Sequence, residues 1–293
     1  MISVSLQTWK TDLVLSARAC TTPRMETVLR QLLTDEVQRL DALASRFRPD
    51  SELSTVNSQA GHWVEVSWGF VAVLSACLSA AERTGGLVDP TLGTAIKAAG
   101  YDEWADQPTL TAASAQRGHW RGVGIRPGRH EAQVIIPAGT ALDLGSVAKA
   151  WLADRLAHAV ARSGYEVCAN MGGDIRVIAQ APWTVWADPE VPGVPAAAIA
   201  LTDAGLATSG TGRRRWSTGH HIIDARTGQP AVTPWHTVSV VAASAAEANT
   251  AATAGVILGG EGPGWMTAKG LDARFSSPTD TITTHRWRQE VAA

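Results

Sequence analysis

The residues best suited to chemistry fall in four loops, each combining glycine with polar side chains directly after an apolar strand, where ligand groups are usually presented. The first is Leu142-Asp-Leu-Gly-Ser-Val-Ala-Lys149. It reads as a strand end, a glycine turn and a helix opening near Ser146 as N-cap. A helix N-terminus attracts anions, and Lys149 in its first turn adds a full positive charge, which suits a phosphate as well as it suits a solvated lysine. The second loop is Asn170-Met-Gly-Gly-Asp174, where the glycines let backbone approach a ligand and Asp174 can accept from a hydroxyl or amine. On spacing alone the simpler reading is a hairpin turn with Asp174 an ordinary turn residue. The third, Ala207-Thr-Ser-Gly-Thr-Gly-Arg-Arg-Arg215, offers hydroxyls and guanidinium groups to phosphate oxygens, or is a solvated basic loop. In the fourth, His220-His-Ile-Ile-Asp-Ala-Arg-Thr-Gly228, His221 and Asp224 can orient an imidazole toward an anion or simply close a turn.

The elements that must position these loops are legible from periodicity. Thr11–Ala17 reads as a strand, and about 22–47 as an amphipathic helix ended by Pro49. A second helix, apolar nearly all round, spans about 67–83 and stops at Gly85-Gly86. Val88–Gly93 is a compact turn, 103–115 a connector with one short helix, and 120–144 a run of short strands. After the helix carrying Lys149, strands are expected at Tyr165–Asn170, Ile175–Ala179, Trp183–Trp186, Ala196–Leu201 and Val238–Ala242. A last helix covers about 245–258, closed by Gly259-Gly260. With no repeat or clean linker, one interleaved α+β domain over 1–293, a mixed sheet with several long helices packed on it, is the simplest architecture.

Composition narrows the function. The formal net charge is −2 and no basic block runs longer than Arg213-Arg214-Arg215, so no nucleic-acid partner is expected. The three cysteines are far apart, set among apolar residues, and expected as free buried thiols. No signal peptide or membrane span is visible, so a cytoplasmic protein is expected. Glycine-rich dinucleotide fingerprints, phosphate loops, His-Glu-x-x-His and paired cysteines at metal spacing are all absent.

Taken in order, the loops resemble the ApbE-type flavin transferases (FAD:protein FMN transferases). Ser45-Arg-Phe-Arg-Pro-Asp-Ser-Glu-Leu-Ser-Thr-Val-Asn57 resembles the first signature of that family, and Val88-Asp-Pro-Thr-Leu-Gly93 the second. Leu142–Lys149, Asn170–Asp174, Thr208–Gly210 with the arginines, and His221–Gly228 resemble the remaining four. Six ordered signatures outweigh the weakness of each.

The resemblance implies an enzyme that binds FAD and Mg²⁺, cleaves the pyrophosphate, joins FMN to a Thr or Ser hydroxyl of an acceptor protein and releases AMP. It implies catalytic roles for Asp143, Lys149, Thr208 and His221, with Lys149 and His221 contacting phosphates. It places Asn57, Asp89, Thr91, Asn170, Gly172, Gly173, Asp174, Ser209, Gly210, Arg214 and Asp224 around the cofactor. The metal is implied at the Ala148 backbone carbonyl and at two residues of the last helix, Asn249 and Thr253. Asn249 stands where the family has Asp, and a neutral carbonyl there is expected to weaken Mg²⁺ binding. Glu247 lies on another helix face and is a poor substitute. Thr211, Ser146 and Ala225 replace an Asp, a glycine and a proline. Two other readings follow: an FAD pyrophosphatase giving FMN and AMP, and a flavin-binding protein weakened in catalysis.

Overall fold

The computed structural model describes residues 1–18, 23–100, 118–216, 219–284 and 287. The expected connector at 103–115 and Cys20 lie outside the described residues. Seven α-helices are described: α1 Pro23–Ala44, α2 Glu52–Ser58, α3 Trp68–Arg83, α4 Gly93–Ala98, α5 Ala148–Ala161, α6 Ala245–Leu258 and α7 Gly262–Lys269. Eight strands form the main sheet: β1 Ile2–Thr8, β2 Thr11–Arg18, β3 Glu166–Met171, β4 Ile175–Ala187, β5 Ala197–Gly210, β6 Thr237–Ala242, β7 Asp272–Ser276 and β8 Thr281–Thr283. They lie side by side in chain order. Each pairs antiparallel with the next. The α+β class is as expected; the parallel pairing among the described residues is an isolated bridge from Leu92 to Ala141.

The chain gathers into two compact units, and each is built from separated segments. The first comprises Met1–Arg39, Lys149–Gly210 and Pro234–Ala293 and holds the whole meander. The second comprises Leu40–Ala148 and Thr211–Thr233. The meander thus runs through two excursions into the second unit, one between β2 and β3 and one between β5 and β6.

In the first unit, β4 and β5 bury Val177, Trp183, Val185, Ile199, Leu201 and Leu206 in one cluster. The two strands expected at Ile175–Ala179 and Trp183–Trp186 are one long strand with a register shift between Ile178 and Trp183. Pro182 sits at that irregularity, where a residue without an N–H is tolerated. Helix α6 is buried along most of its length and opens with Ser244, whose Oγ accepts from Glu247 N at 3.1 Å. A second cap comes from α5: Asp154 Oδ1 and Oδ2 accept from Ala245 N and Ala246 N at 2.9 and 3.0 Å. Arg155 beside it makes a two-pronged bond to Glu36 of α1 at 2.6 and 3.1 Å. Those contacts fix α5 against both α1 and α6.

In the second unit, α3 buries Phe70, Val73, Leu74, Cys77 and Ala81, as its apolar pattern predicts. It ends at the glycine pair: Gly85 and Gly86 take φ of 63° and 91°, and Gly86 N reaches back to Ala81 O. The first helix stops at Ala44, earlier than expected, and Ser51 caps a separate short helix, α2, that the sequence pattern concealed. A small antiparallel sheet joins Val64–Val66, Ala132–Ile135 and Gly124–Pro127.

Candidate active site

In the first unit a polar cluster sits between α5, α6 and the turn after β3. The turn is closed by Met171 N donating to Asp174 O at 2.8 Å and Gly173 N donating to Asn170 Oδ1 at 2.8 Å. Gly172 and Gly173 have φ of 70° and 98°, a region that favours glycine. A side chain on Gly172 would also meet Thr11 Oγ1 at 2.7 Å. The turn presents Asp174, only 3% exposed, to both helices. Asp174 Oδ2 accepts from Lys149 Nζ at 2.7 Å, and Oδ1 accepts from Asn249 Nδ2 at 2.9 Å. Asn249 Oδ1 is buried without a hydrogen-bond partner. One turn further along the same helix face, Thr253 Oγ1 lies 2.9 Å from Ser209 Oγ of β5. Lys149, Asp174, Asn249, Ser209 and Thr253 are therefore one neighbourhood, with Asn170, Gly172 and Gly173 shaping its turn.

Thr208 is not in that neighbourhood. A side chain at Gly205 would run into the start of α6, so alternation puts Ser209 on the α6 face and Thr208 on the other. There Thr208 Oγ1 pairs with Ser239 Oγ at 2.8 Å. Gly210 is explained by packing, because a side chain on it would meet His236 O at 2.8 Å.

In the second unit several expected ligand groups are engaged by the protein itself. Asn57 donates through Nδ2 to Leu142 O at 3.0 Å and accepts through Oδ1 from Leu142 N at 2.7 Å. Its amide therefore acts as a clamp on the extended segment that leads to Lys149, which is not the strand end expected there. Asp89 Oδ1 accepts from Thr91 N and Thr91 Oγ1 at 2.7 and 2.6 Å, and Oδ2 from Trp120 N at 3.3 Å. Thr91 Oγ1 in turn accepts from His119 N at 2.6 Å. Gly93 N donates to Ala141 O, and a side chain at Gly93 would lie 2.8 Å from the Ala141 and Leu142 carbonyls. Only glycine lets this turn dock so closely on the Ala141–Leu142 backbone.

Asp143 accepts from Gly145 N at 2.8 Å and pairs with Arg46 Nε at 3.0 Å; the arginine side chain is 6% exposed. Arg46 lies inside the first signature, but its partner is far away in sequence, so its role was not legible. Helix α5 opens at Ala148, two residues beyond Ser146, and Ala148 N donates to Leu144 O at 2.9 Å. Asp224 is clasped by Arg226, whose Nε and Nη2 donate at 3.0 and 2.8 Å. His221 N donates to Arg214 O at 3.2 Å, placing those two residues side by side.

Among the described residues no three His, Cys, Asp or Glu side chains gather as a metal cluster. A hard cation takes oxygen ligands of any kind, however. The unpartnered Asn249 Oδ1 and the Thr253 hydroxyl one turn away are such oxygens, and Asp174 brings negative charge beside them, so these residues fit Mg²⁺.

The profile of the ApbE family matches residues 3–275. The chain belongs to the ApbE family. It is 33% identical over 276 residues to a protein of Treponema pallidum named FAD:protein FMN transferase, covering 84% of this chain and 76% of that protein. A Haemophilus influenzae protein of the same name is 26% identical over 244 residues, covering 75% and 69%. The fold of this ApbE-family chain matches the Pseudomonas stutzeri flavinyl transferase ApbE, apo form, with a TM-score of 0.83 at 20% identity, over 97% of this chain and 94% of the other. The ApbE protein from Thermotoga maritima gives 0.82 at 22% identity, over 97% of each. These two likenesses concern the fold.

Proposed function

We propose that the chain is an FAD:protein FMN transferase acting as one catalytic domain over 1–293. The observation that carries this is the family match along nearly the whole chain, joined to a relative of that name at 33% identity. In the reaction, a Thr or Ser hydroxyl oxygen of an acceptor protein bonds to the phosphorus of the FMN half. The pyrophosphate P–O bond breaks, the hydroxyl proton is lost, and AMP departs with the bridging oxygen. Mg²⁺, when bound, neutralises the pyrophosphate charge and stabilises the departing phosphate. Ala148 through its carbonyl, Asn249 and Thr253 are the residues proposed to hold it.

The chain's own residues supply the rest. Lys149 offers an ammonium group to phosphate oxygens from the first turn of α5, and His221 and Arg214 offer further cationic or hydrogen-bonding contacts. The Asn170–Asp174 turn, with its glycine backbone open to close approach, suits the planar or ribose portions of FAD. Asn57, Asp89, Thr91 and Asp224 support the cofactor loops by holding their backbones. A cytoplasmic setting and an acceptor protein there are part of the proposal; no described helix is long and apolar enough to cross a membrane.

Asn249 in place of Asp favours a second reading, an FAD-binding protein weakened in catalysis. Hydrolysis to FMN and AMP is the third outcome. One incubation separates them: FAD, Mg²⁺ and candidate acceptor proteins, followed by in-gel flavin fluorescence and chromatography of the nucleotides. Covalent label with AMP supports transfer. Free FMN with AMP supports hydrolysis, and intact bound FAD supports the weakened protein.

A further inference from the structure

Asp174 is buried and has two partners, Lys149 Nζ at 2.7 Å and Asn249 Nδ2 at 2.9 Å. A carboxylate paired with lysine has no proton to donate, so it can only accept. That settles which way the Asn249 amide turns: its N–H₂ faces Asp174 and its Oδ1 faces away. Asn249 is itself 8% exposed, and its Oδ1 has no hydrogen-bond partner. A buried carbonyl oxygen left in this way is costly unless a donor or cation meets it. The Thr253 hydroxyl stands one helical turn beyond on the same face.

We propose that Asp174 is the positioning residue for a divalent cation held by Asn249 Oδ1 and Thr253 Oγ1. It aims the Asn249 carbonyl at the ion and supplies the negative charge that position 249 lacks. The inference rests on the metal-dependent reading of the site and adds the residue that lets a carboxamide serve there. Lys149 opposes the ion, because its ammonium neutralises the same carboxylate. It is also the more exposed partner of the pair, with a side chain 21% exposed against 4% for Asp174, and its long flexible stem lets it leave Asp174 for an arriving phosphate.

The test uses the full chain without FAD and reads Mn²⁺ binding from the electron paramagnetic resonance signal of the free ion. Asp174→Asn gives the neighbour an N–H₂ group that turns the Asn249 amide round. Outer-shell partners of this kind are worth about 10–100-fold in metal affinity, and a loss of at least about tenfold is expected. The double variant Asp174→Asn with Asn249→Asp returns the carboxylate to the helix and is expected to restore wild-type affinity to within about threefold, by the same argument. Lys149→Met is expected to tighten binding. Thermal unfolding of each variant shows that it is folded, and recovery in the double variant separates positioning from collapse of the site.

Unchanged affinity in Asp174→Asn, or a double variant as weak as the single one, overturns the proposal. If the wild-type protein binds no Mn²⁺ at millimolar concentration, the metal-dependent reading itself fails. Binding that Asp174→Asn leaves untouched defeats the positioning role alone.

Discussion

Asn57, Asp89 and Asp224 are all residue types that bind ligands, yet each commits its polar atoms to backbone, to a neighbouring hydroxyl or to a neighbouring arginine. Each holds the backbone or a side chain of a loop in place. The adjacent His220 is held the same way: Nδ1 accepts from Ile222 N at 3.2 Å, and Nε2–H donates to Ala231 O at 3.0 Å. This arrangement needs the neutral ring. Burial pushes its pKa below the ordinary 6.5, with the Ala231 carbonyl pulling the other way. The unfolded chain takes up a proton as pH falls through that ordinary value while the folded chain does not. Stability from this site is therefore present above pH 6.5 and lost as pH falls toward the depressed value. Thermal unfolding is expected to show a midpoint falling between pH 7 and pH 5, with a shallower fall in His220→Gln. Equal slopes in the two proteins would remove His220 as the cause.

Helices α5 and α6 carry the two sides of the first unit's polar cluster, and Asp154 sets one against the other. Its carboxylate caps α6 four residues before Asn249, from a helix whose first turn holds Lys149. Burial raises its pKa, and the bonds from Ala246 N and Ala245 N oppose that rise. Asp154→Ala is expected to cost about 0.5–2 kcal/mol, the range for a lost helix cap, and to weaken FAD binding as Lys149 and Asn249 lose register. Chemical denaturation and flavin fluorescence quenching check the two effects.

Elements were legible in the sequence where an apolar run was long or had a clear stop signal. Helices α3 and α6 are long apolar runs, each followed by a glycine pair, and β2 and β6 are apolar runs rich in β-branched or leucine side chains. Legibility failed at α2, whose seven residues are too few to show a period and follow a proline, and at β4, where Pro182 hides a continuous strand. The site was legible as an ordered set of loops. The Arg46–Asp143 pair and the Asn57 clamp were not, since each joins residues about a third of the chain apart.

At the scale of the whole chain, an antiparallel meander carries two excursions, so the signature residues are dealt alternately to the two units. Lys149, Asn170–Asp174, Ser209 and helix α6 fall in the first, and the Asn57, Asp89, Asp143 and His221 loops in the second. Each unit keeps one described cysteine inside. Cys77 is 1% exposed and Cys168 9% exposed. Burial raises the Cys77 thiol far above its ordinary range and pushes Cys168 up to about 12. A Cys20→Ser variant retains only these two thiols, and a chromogenic disulfide reagent is expected to leave both unmodified in the native protein and titrate both in denaturant. Rapid native labelling of either would show that its unit opens locally.

The central claim is flavin transfer, and its most direct measurement is intact-protein mass spectrometry of an acceptor after incubation with FAD, Mg²⁺ and this chain. The predicted result is an added mass of one FMN less water on a single Thr or Ser, with AMP released in equal amount and no label when Mg²⁺ is chelated. AMP and free FMN appearing with every acceptor left unmodified would contradict it.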